Sequence, residues 1–415
     1  MDFYTIAASV LTMAIIATYI NERFIKLPTT IAIMASSLLL SLLVIIFGRY
    51  FNTHFGDEFA EKLSTIDFHA LLMNGMLSFL LFAGALHVDI SRLKAHKWEI
   101  GVLATFSTVL SAILIAVVCY YLLPLLGVNL SFIYCLLFGA LISPTDPIAV
   151  LATFKELNAP KNLDVKVAGE SLFNDGVGIV MFLSIYQVAF SNTAFDWQNV
   201  TLLFVQQALG GIAYGAALGF ITSWLIKPID NHKVVILMTI MVATGGYALA
   251  QQINISGALA MVVAGIFIGN HGRNYSMSTK SRESLDNFWE IIDEILNAAL
   301  FLLIGFELLV LEAQSNEILV GCLMIPLVLS VRFITVAIPM TVFKQYKTYV
   351  PYTIRILVWG GLRGGLAVAL ALALPASHDR SIILVMTYAV VMFSVLVQGL
   401  TIKPLVEKSK QPFTT

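Results

Sequence analysis

Apolar runs of roughly twenty residues recur along the chain, separated by short polar stretches that hold most of the charge. A helix needs about 20 mostly apolar residues to cross the hydrocarbon core of a bilayer. That ruler marks about 13 spans, at 4–20, 28–47, 66–86, 100–124, 130–153, 164–189, 199–226, 233–252, 256–270, 288–312, 317–342, 350–373 and 381–405. The pattern predicts an all-α polytopic membrane protein with a single membrane domain over 1–415.

Composition agrees. Of 415 residues, 59% are hydrophobic and 12% charged, about half the charge of a soluble domain. The formal net charge of −1 gives no reason to expect nucleic acid as a partner. Cys119, Cys135 and Cys322 lie in apolar runs without metal-ligand spacing and read as small core residues. The chain enters its first apolar run with no basic leader or small-residue cleavage site, so that run is read as a retained span.

Loop charge sets the expected orientation, because basic residues stay on the cytoplasmic side. With the N-terminus outside, eighteen Lys and Arg fall in the inner loops and tail, and three (Arg49, Lys62, Arg380) fall outside. The expected arrangement is therefore a multi-pass protein of the cell (inner) membrane, with a cytoplasmic C-terminus. Inner loops 87–99, 154–166, 227–233, 271–285 and 343–349 supply many of the cations, Lys166, Arg273 and Lys347 among them; Lys408 and Lys410 lie in the tail. His87, His96, His232 and His271 read as solvated loop residues. No loop is long enough for a folded domain and no phosphate-cradling glycine loop occurs. This argues for a gradient-coupled carrier over an ATP-driven one, and the chain is not read as an enzyme or as needing a cofactor.

Two spans contain helix breakers. Span 5 carries Ser143-Pro144-Thr145-Asp146-Pro147; span 12 carries Gly360-Gly361-Leu362-Arg363-Gly364-Gly365. Proline removes a backbone donor and clashes with the preceding turn. Broken backbone survives at membrane depth only where it is buried in protein or lines a wet cavity. If span 7 (199–226) is a linker, 1–190 and 233–405 become two six-helix units, inverted in topology, with the broken helices 5 and 12 at corresponding positions. Paired interrupted helices in inverted repeats point to a binding site at the midplane. The alternative is two ordinary kinks. Half-helix ends carry opposite partial charges, so Asp146 would compensate the N-terminal ends at the crossing and Arg363 the C-terminal ends.

Span 6 adds Gly169-Glu170-Ser171-Leu172-Phe173-Asn174-Asp175-Gly176. Carboxylates in the middle of a membrane helix are costly and functional by default. Ser171 and Asp175 share one helical face, and Glu170 with Asn174 lie beside them. Asp175 and Ser171 offer hard oxygen ligands to a small alkali cation. Glu170 needs a partner; Arg332, central in span 11, is the first candidate and Arg363 the second, with Asn174 bridging that pair to the site. Proton and cation would compete for Asp175. With no second acid immediately beside it, exchange should be electroneutral and one for one.

At these residues the chain resembles the cation/proton antiporter family that includes NhaP-type proteins and the animal sodium/proton exchangers. The resemblance rests on Thr145-Asp146-Pro147, Gly169 to Gly176, Arg332 and Gly361-Leu362-Arg363-Gly364, and spans essentially the whole chain. It implies a homodimer in which core helices 66–189 and 288–405 move like an elevator against a dimerisation part, 1–47 and 199–270. It also implies Na⁺ (or Li⁺) contacts from Asp175, Ser171 and the backbone at Thr145, with Asp146 nearby. Asn-Asp at 174–175 goes with electroneutral members. One departure is Ala83, where many members carry a third-span glutamate. K⁺/H⁺ exchange on the same fold and, in another class, a cation channel are the competing readings. An intramembrane hydrolase lacks its motifs. In span 10, Trp289-Glu290-Ile291-Ile292-Asp293-Glu294 reads either as an acidic vestibule or as a solvated helix start.

Overall fold

The computed structural model describes residues 3–51, 68–190, 197–229, 231–272, 277–307, 309, 315–347 and 349–409. Lys62, Arg273 and Lys410, used above for loop charge, lie outside the described residues. The described chain is helical almost throughout. Besides short helical segments at Asn21–Ile25 and Ile90–Ala95, its helices are α1 (Phe3–Ile20), α2 (Thr29–Phe51), α3 (Phe68–Leu86), α4 (Lys97–Leu126), α5 (Phe132–Ile142), α6 (Ile148–Leu157), α7 (Lys161–Ala189) and α8 (Trp197–Ile226). There follow α9 (His232–Gln252), α10 (Gly257–Gly272), α11 (Thr279–Glu307), α12 (Ser315–Lys344), α13 (Thr353–Trp359), α14 (Gly365–Leu372), α15 (His378–Thr401) and α16 (Lys403–Ser409). Among the described residues, 7 helices are individually long and apolar enough to cross a membrane, namely α3, α4, α7, α8, α9, α12 and α15.

Spans 5 and 12 each arrive as two half-helices. α5 stops before Ser143-Pro144, and α6 starts only after Pro147. α13 stops at Trp359, and α14 starts at Gly365. α6 then ends where Asn158 takes a left-handed conformation at φ 48°, a state asparagine tolerates better than most residues. Pro160 precedes the first turn of α7, where a missing N–H costs nothing.

Span 10 differs from the expected bounds. Its helix starts at Thr279, inside the stretch read as inner loop 271–285. Ser281, Leu285 and Trp289 recur every four residues and are all buried, so one face of this polar-looking segment is a packing face. The Trp289 indole donates to Thr239 Oγ1 at 3.0 Å.

The packing is reciprocal. α2 lies along α11, while α10 lies along α3. α5 and α14 both contact their following long helices, α7 and α15.

Near α4 the chain builds a polar knot that the reading of solvated loops did not anticipate. Glu99 is 0% exposed and accepts from Lys347 Nζ at 3.0 Å; Tyr349 Oη lies 3.4 Å from it. His96 Nδ1 stands 3.3 Å from the same carboxylate. Lys166 is buried beside them on α7, 4.0 Å from Glu99, with its ammonium over the Tyr349 ring. His96 and Lys166 are therefore packed groups, because one buried carboxylate gathers them.

Candidate functional site

The two interrupted helices cross, and the crossing is hydrogen-bonded. The Asp146 N–H donates to Leu362 O at 2.8 Å, an isolated antiparallel bridge between the two breaks. Gly364 faces Asp146 so closely that a Cβ there would collide with the carboxylate, 2.6 Å from Asp146 Cβ. Any residue larger than glycine would push the two breaks apart.

Charges occupy the helix ends that their sign favours. Asp146 Oδ1 accepts from the Ile148 N–H at 3.0 Å, at the start of α6. The same carboxylate abuts Gly364, at the start of α14. Arg363 NH1 donates to Ser143 O at 2.6 Å and Pro144 O at 2.7 Å, at the C-terminal end of α5. Arg363 is 1% exposed, so this compensation takes place out of reach of bulk water. An anion at helix N-termini and a cation at a C-terminus are each stabilising, and most so when buried.

α7 runs past the crossing unbroken. Its glycine at 178 admits the Pro144 ring into space that a Cβ would fill, which brings the acidic face of the helix against the break. Asn174, fully buried, uses its side-chain amide on one residue: Oδ1 accepts from Thr145 N at 3.1 Å and Nδ2 donates to Thr145 Oγ1 at 2.8 Å. It was expected to bridge the Glu170–Arg332 pair to the site. It instead holds the unwound backbone of span 5, because Thr145 presents both an orphan N–H and a hydroxyl to it. Ser171 Oγ donates to the Thr145 carbonyl, so that oxygen and the hydroxyl meet at the same point.

Glu170 and Arg332 pair at 2.6 Å, with relative exposures of 2% and 4%. Arg332 NH2 also donates to Leu357 O at 3.1 Å, in the last turn of α13. The pair thus joins α7, α12 and α13. Arg363 is directed to the α5 end and makes no ion pair with Glu170 among the described residues.

Asp175 has a different setting. It lines a cavity of about 300 Å³ together with Thr145, Asp146, Ser171, Asp293 and Asn297. The rest of the wall is mostly aliphatic, from α3, α7, α11 and α14. Among the described residues no cation pairs with Asp175; the Arg363 charge reaches it, but the guanidinium donates elsewhere. The arrangement offers carboxylate, hydroxyl and carbonyl oxygens in one partly enclosed space, a donor set suited to a hard monovalent cation and to a proton.

The sequence reading missed Asn297 and left Asp293 undecided. The signal was present: the two stand four apart on α11, so they share a face. Of the three acids opening span 10, Asp293 alone lines the cavity, whereas Glu290 and Glu294 are exposed.

The chain matches the family model described as sodium/hydrogen exchanger, transmembrane, over residues 10–408. It is 46% identical over 407 residues to the Na(+)/H(+) antiporter NhaP of Pseudomonas aeruginosa, covering 97% of this chain and 96% of that one. It is 34% identical to the Na(+)/H(+) antiporter NhaH of Halobacillus dabanensis, covering 93% of each. In fold it is similar to the sodium proton antiporter MjNhaP1 of Methanocaldococcus jannaschii, with a TM-score of 0.76 at 20% identity over 98% of this chain and 99% of that one.

Proposed function

The chain belongs to the sodium/hydrogen exchanger family, and from that premise we propose that it exchanges Na⁺ for H⁺ across the membrane, with Asp175 as the group both ions use. The observation that carries this assignment is the cavity at the helix crossing, where Asp175 stands with Ser171 and Thr145 and, among the described residues, forms no ion pair.

Na⁺ would be held by the Asp175 carboxylate, the Ser171 hydroxyl and the Thr145 carbonyl. A proton on Asp175 removes the charge that binds Na⁺, and bound Na⁺ disfavours protonation. If the site changes sides only when one of them is present, each cycle trades one for the other. Asn174 and Gly178 fix the broken backbone of span 5 against α7, so Thr145 O is held in place before the cation arrives. Preorganised ligands cost less to assemble on binding. Asp146 stabilises the half-helix starts and adds negative potential to the cavity.

Exchange is electroneutral in this account, since a single exchangeable charge at Asp175 moves as a neutral unit in both directions. The reciprocal packing of α2 on α11 and α10 on α3 supports two inverted repeats over 1–190 and 233–405. Core helices 66–189 and 288–405 would carry the site, moving against a part formed by 1–47 and 199–270. Many large apolar residues of α8, Leu202, Leu209, Phe220 and Trp224 among them, are exposed. They suit lipid or a second copy, and a homodimer is the expected assembly. The basic loops would lie on the cytoplasmic face.

Proteoliposomes loaded with a pH-sensitive dye test this reading. Na⁺ or Li⁺ pulses should move protons, K⁺ should do so weakly, and Asp175→Asn should abolish the signal. Persisting exchange in that variant, or single-channel currents in the unaltered protein, would refute it. A rate that follows imposed voltage would refute electroneutrality alone.

A further inference from the structure

Two polar side chains in the cavity have no part in the exchange described above. Asp293 and Asn297 both line it from α11. Asn297 is 3% exposed, and its Oδ1 has no hydrogen-bond partner among the described residues. Asp293 stands four residues earlier on the same helix and lines the same cavity, so the unpartnered carbonyl oxygen and the carboxylate share one helical face. A buried acceptor without a donor costs free energy comparable to a lost hydrogen bond, so such a group calls for an occupant.

The chemistry of the occupant follows from what surrounds it. Asp293 has no cationic partner among the described residues, and the walls near it are aliphatic, including Leu80 and Leu300. A carboxylate and an amide carbonyl are both acceptors, and a small monovalent cation satisfies both at once. Asp146 lines the same cavity as Asp293 and Asp175, so three carboxylates share one enclosed space. Glu290, one turn before Asp293, is exposed and pairs with Lys155 at 3.3 Å. The acids of α11 thus run from the surface inward.

We propose that Asp293 and Asn297 form a second cation-holding station in this cavity, which Na⁺ occupies on its way to Asp175. The proposal rests on Asp175 being the exchange site. Its consequence is that the cavity raises the local Na⁺ concentration at the crossing without taking part in the proton trade.

Equilibrium binding of ²²Na⁺ to the purified full chain and Na⁺-dependent exchange in proteoliposomes test it together. Asp175→Asn should be silent in exchange yet keep weak, saturable Na⁺ binding, and adding Asp293→Asn should remove that binding. Asp293→Asn alone should raise the apparent KM for Na⁺ roughly tenfold, the worth of one charge-assisted ligand, with a far smaller change in the maximal rate. Asp293→Glu should recover most of the affinity, and thermal unfolding of each variant controls for folding. An unchanged KM in folded Asp293→Asn, a lower maximal rate at unchanged KM, or loss of all Na⁺ binding in Asp175→Asn alone would overturn the station. Exchange that persists in Asp175→Asn would instead overturn the assignment of the exchange site, whatever Asp293 does.

Discussion

Glu170 and Asp175 sit little more than one turn apart on α7, and the structure treats them in opposite ways. Glu170 is locked to Arg332 at 2.6 Å, out of contact with the cavity. Asp175 faces the cavity and pairs with no cation among the described residues. Glu170 is buried and Asp175 half-buried; the difference that matters is whether the protein supplies the counter-charge or leaves that duty to a passing ion. An acid that already has its cation can only hold helices together. An acid left without one is available for transport.

That contrast can be attacked at the paired end first. Arg332→Ala leaves Glu170 buried without its cation, and removing one member of such a pair costs about 3–5 kcal/mol. Thermal unfolding in detergent should show a large drop, while the Na⁺ affinity of the surviving protein changes little. If affinity collapses in a stably folded variant, Arg332 belongs to the ion site and the contrast fails. A double change, Glu170→Gln with Arg332→Met, should recover much of the lost stability.

The next effect is steric. Gly364→Ala forces a methyl into the Asp146 carboxylate, and overpacking of this kind costs about 1–3 kcal/mol. Exchange rate should fall more steeply than stability, because the crossing itself is displaced; rate and unfolding temperature measured side by side decide it. Asn174→Ala is expected to follow, at about 1–3 kcal/mol for a buried donor left unsatisfied at Thr145 N. Its signature is weaker Na⁺ affinity, since the Thr145 carbonyl, the proposed ligand, loses its tether. The smallest effect belongs to the exposed pair of Lys403 with Glu156 at 2.6 Å. Lys403→Ala should leave unfolding temperature and exchange within error, because surface ion pairs are screened.

Much of this was legible in the sequence, for physical reasons. Prolines and glycines clustered around single charges in spans 5 and 12 announce broken helices, since few other structures tolerate Pro144, Pro147 and four glycines at membrane depth. Helical spacing alone puts Ser171 and Asp175 on one face. What escaped depended on contacts between segments far apart in the chain. Lys166 and Lys347 read as loop cations until both are brought to the buried Glu99, from α7 and from the stretch after α12. Asn297 hides in an apolar run, and only the structure shows that its carbonyl lines the cavity with no partner among the described residues. Span 10 was read too short because its first turns are polar by count and apolar only on the face of Ser281, Leu285 and Trp289.

The central claim is that H⁺ and Na⁺ take turns on a single carboxylate, and its most direct test is the apparent KM for Na⁺ measured in proteoliposomes over a series of pH values. Competition at Asp175 predicts that KM rises about tenfold for each unit of acidification once that carboxyl is mostly protonated, with the maximal rate recovered by excess Na⁺. A KM that stays constant across the acid range while the rate alone declines would mean the two ions do not share Asp175.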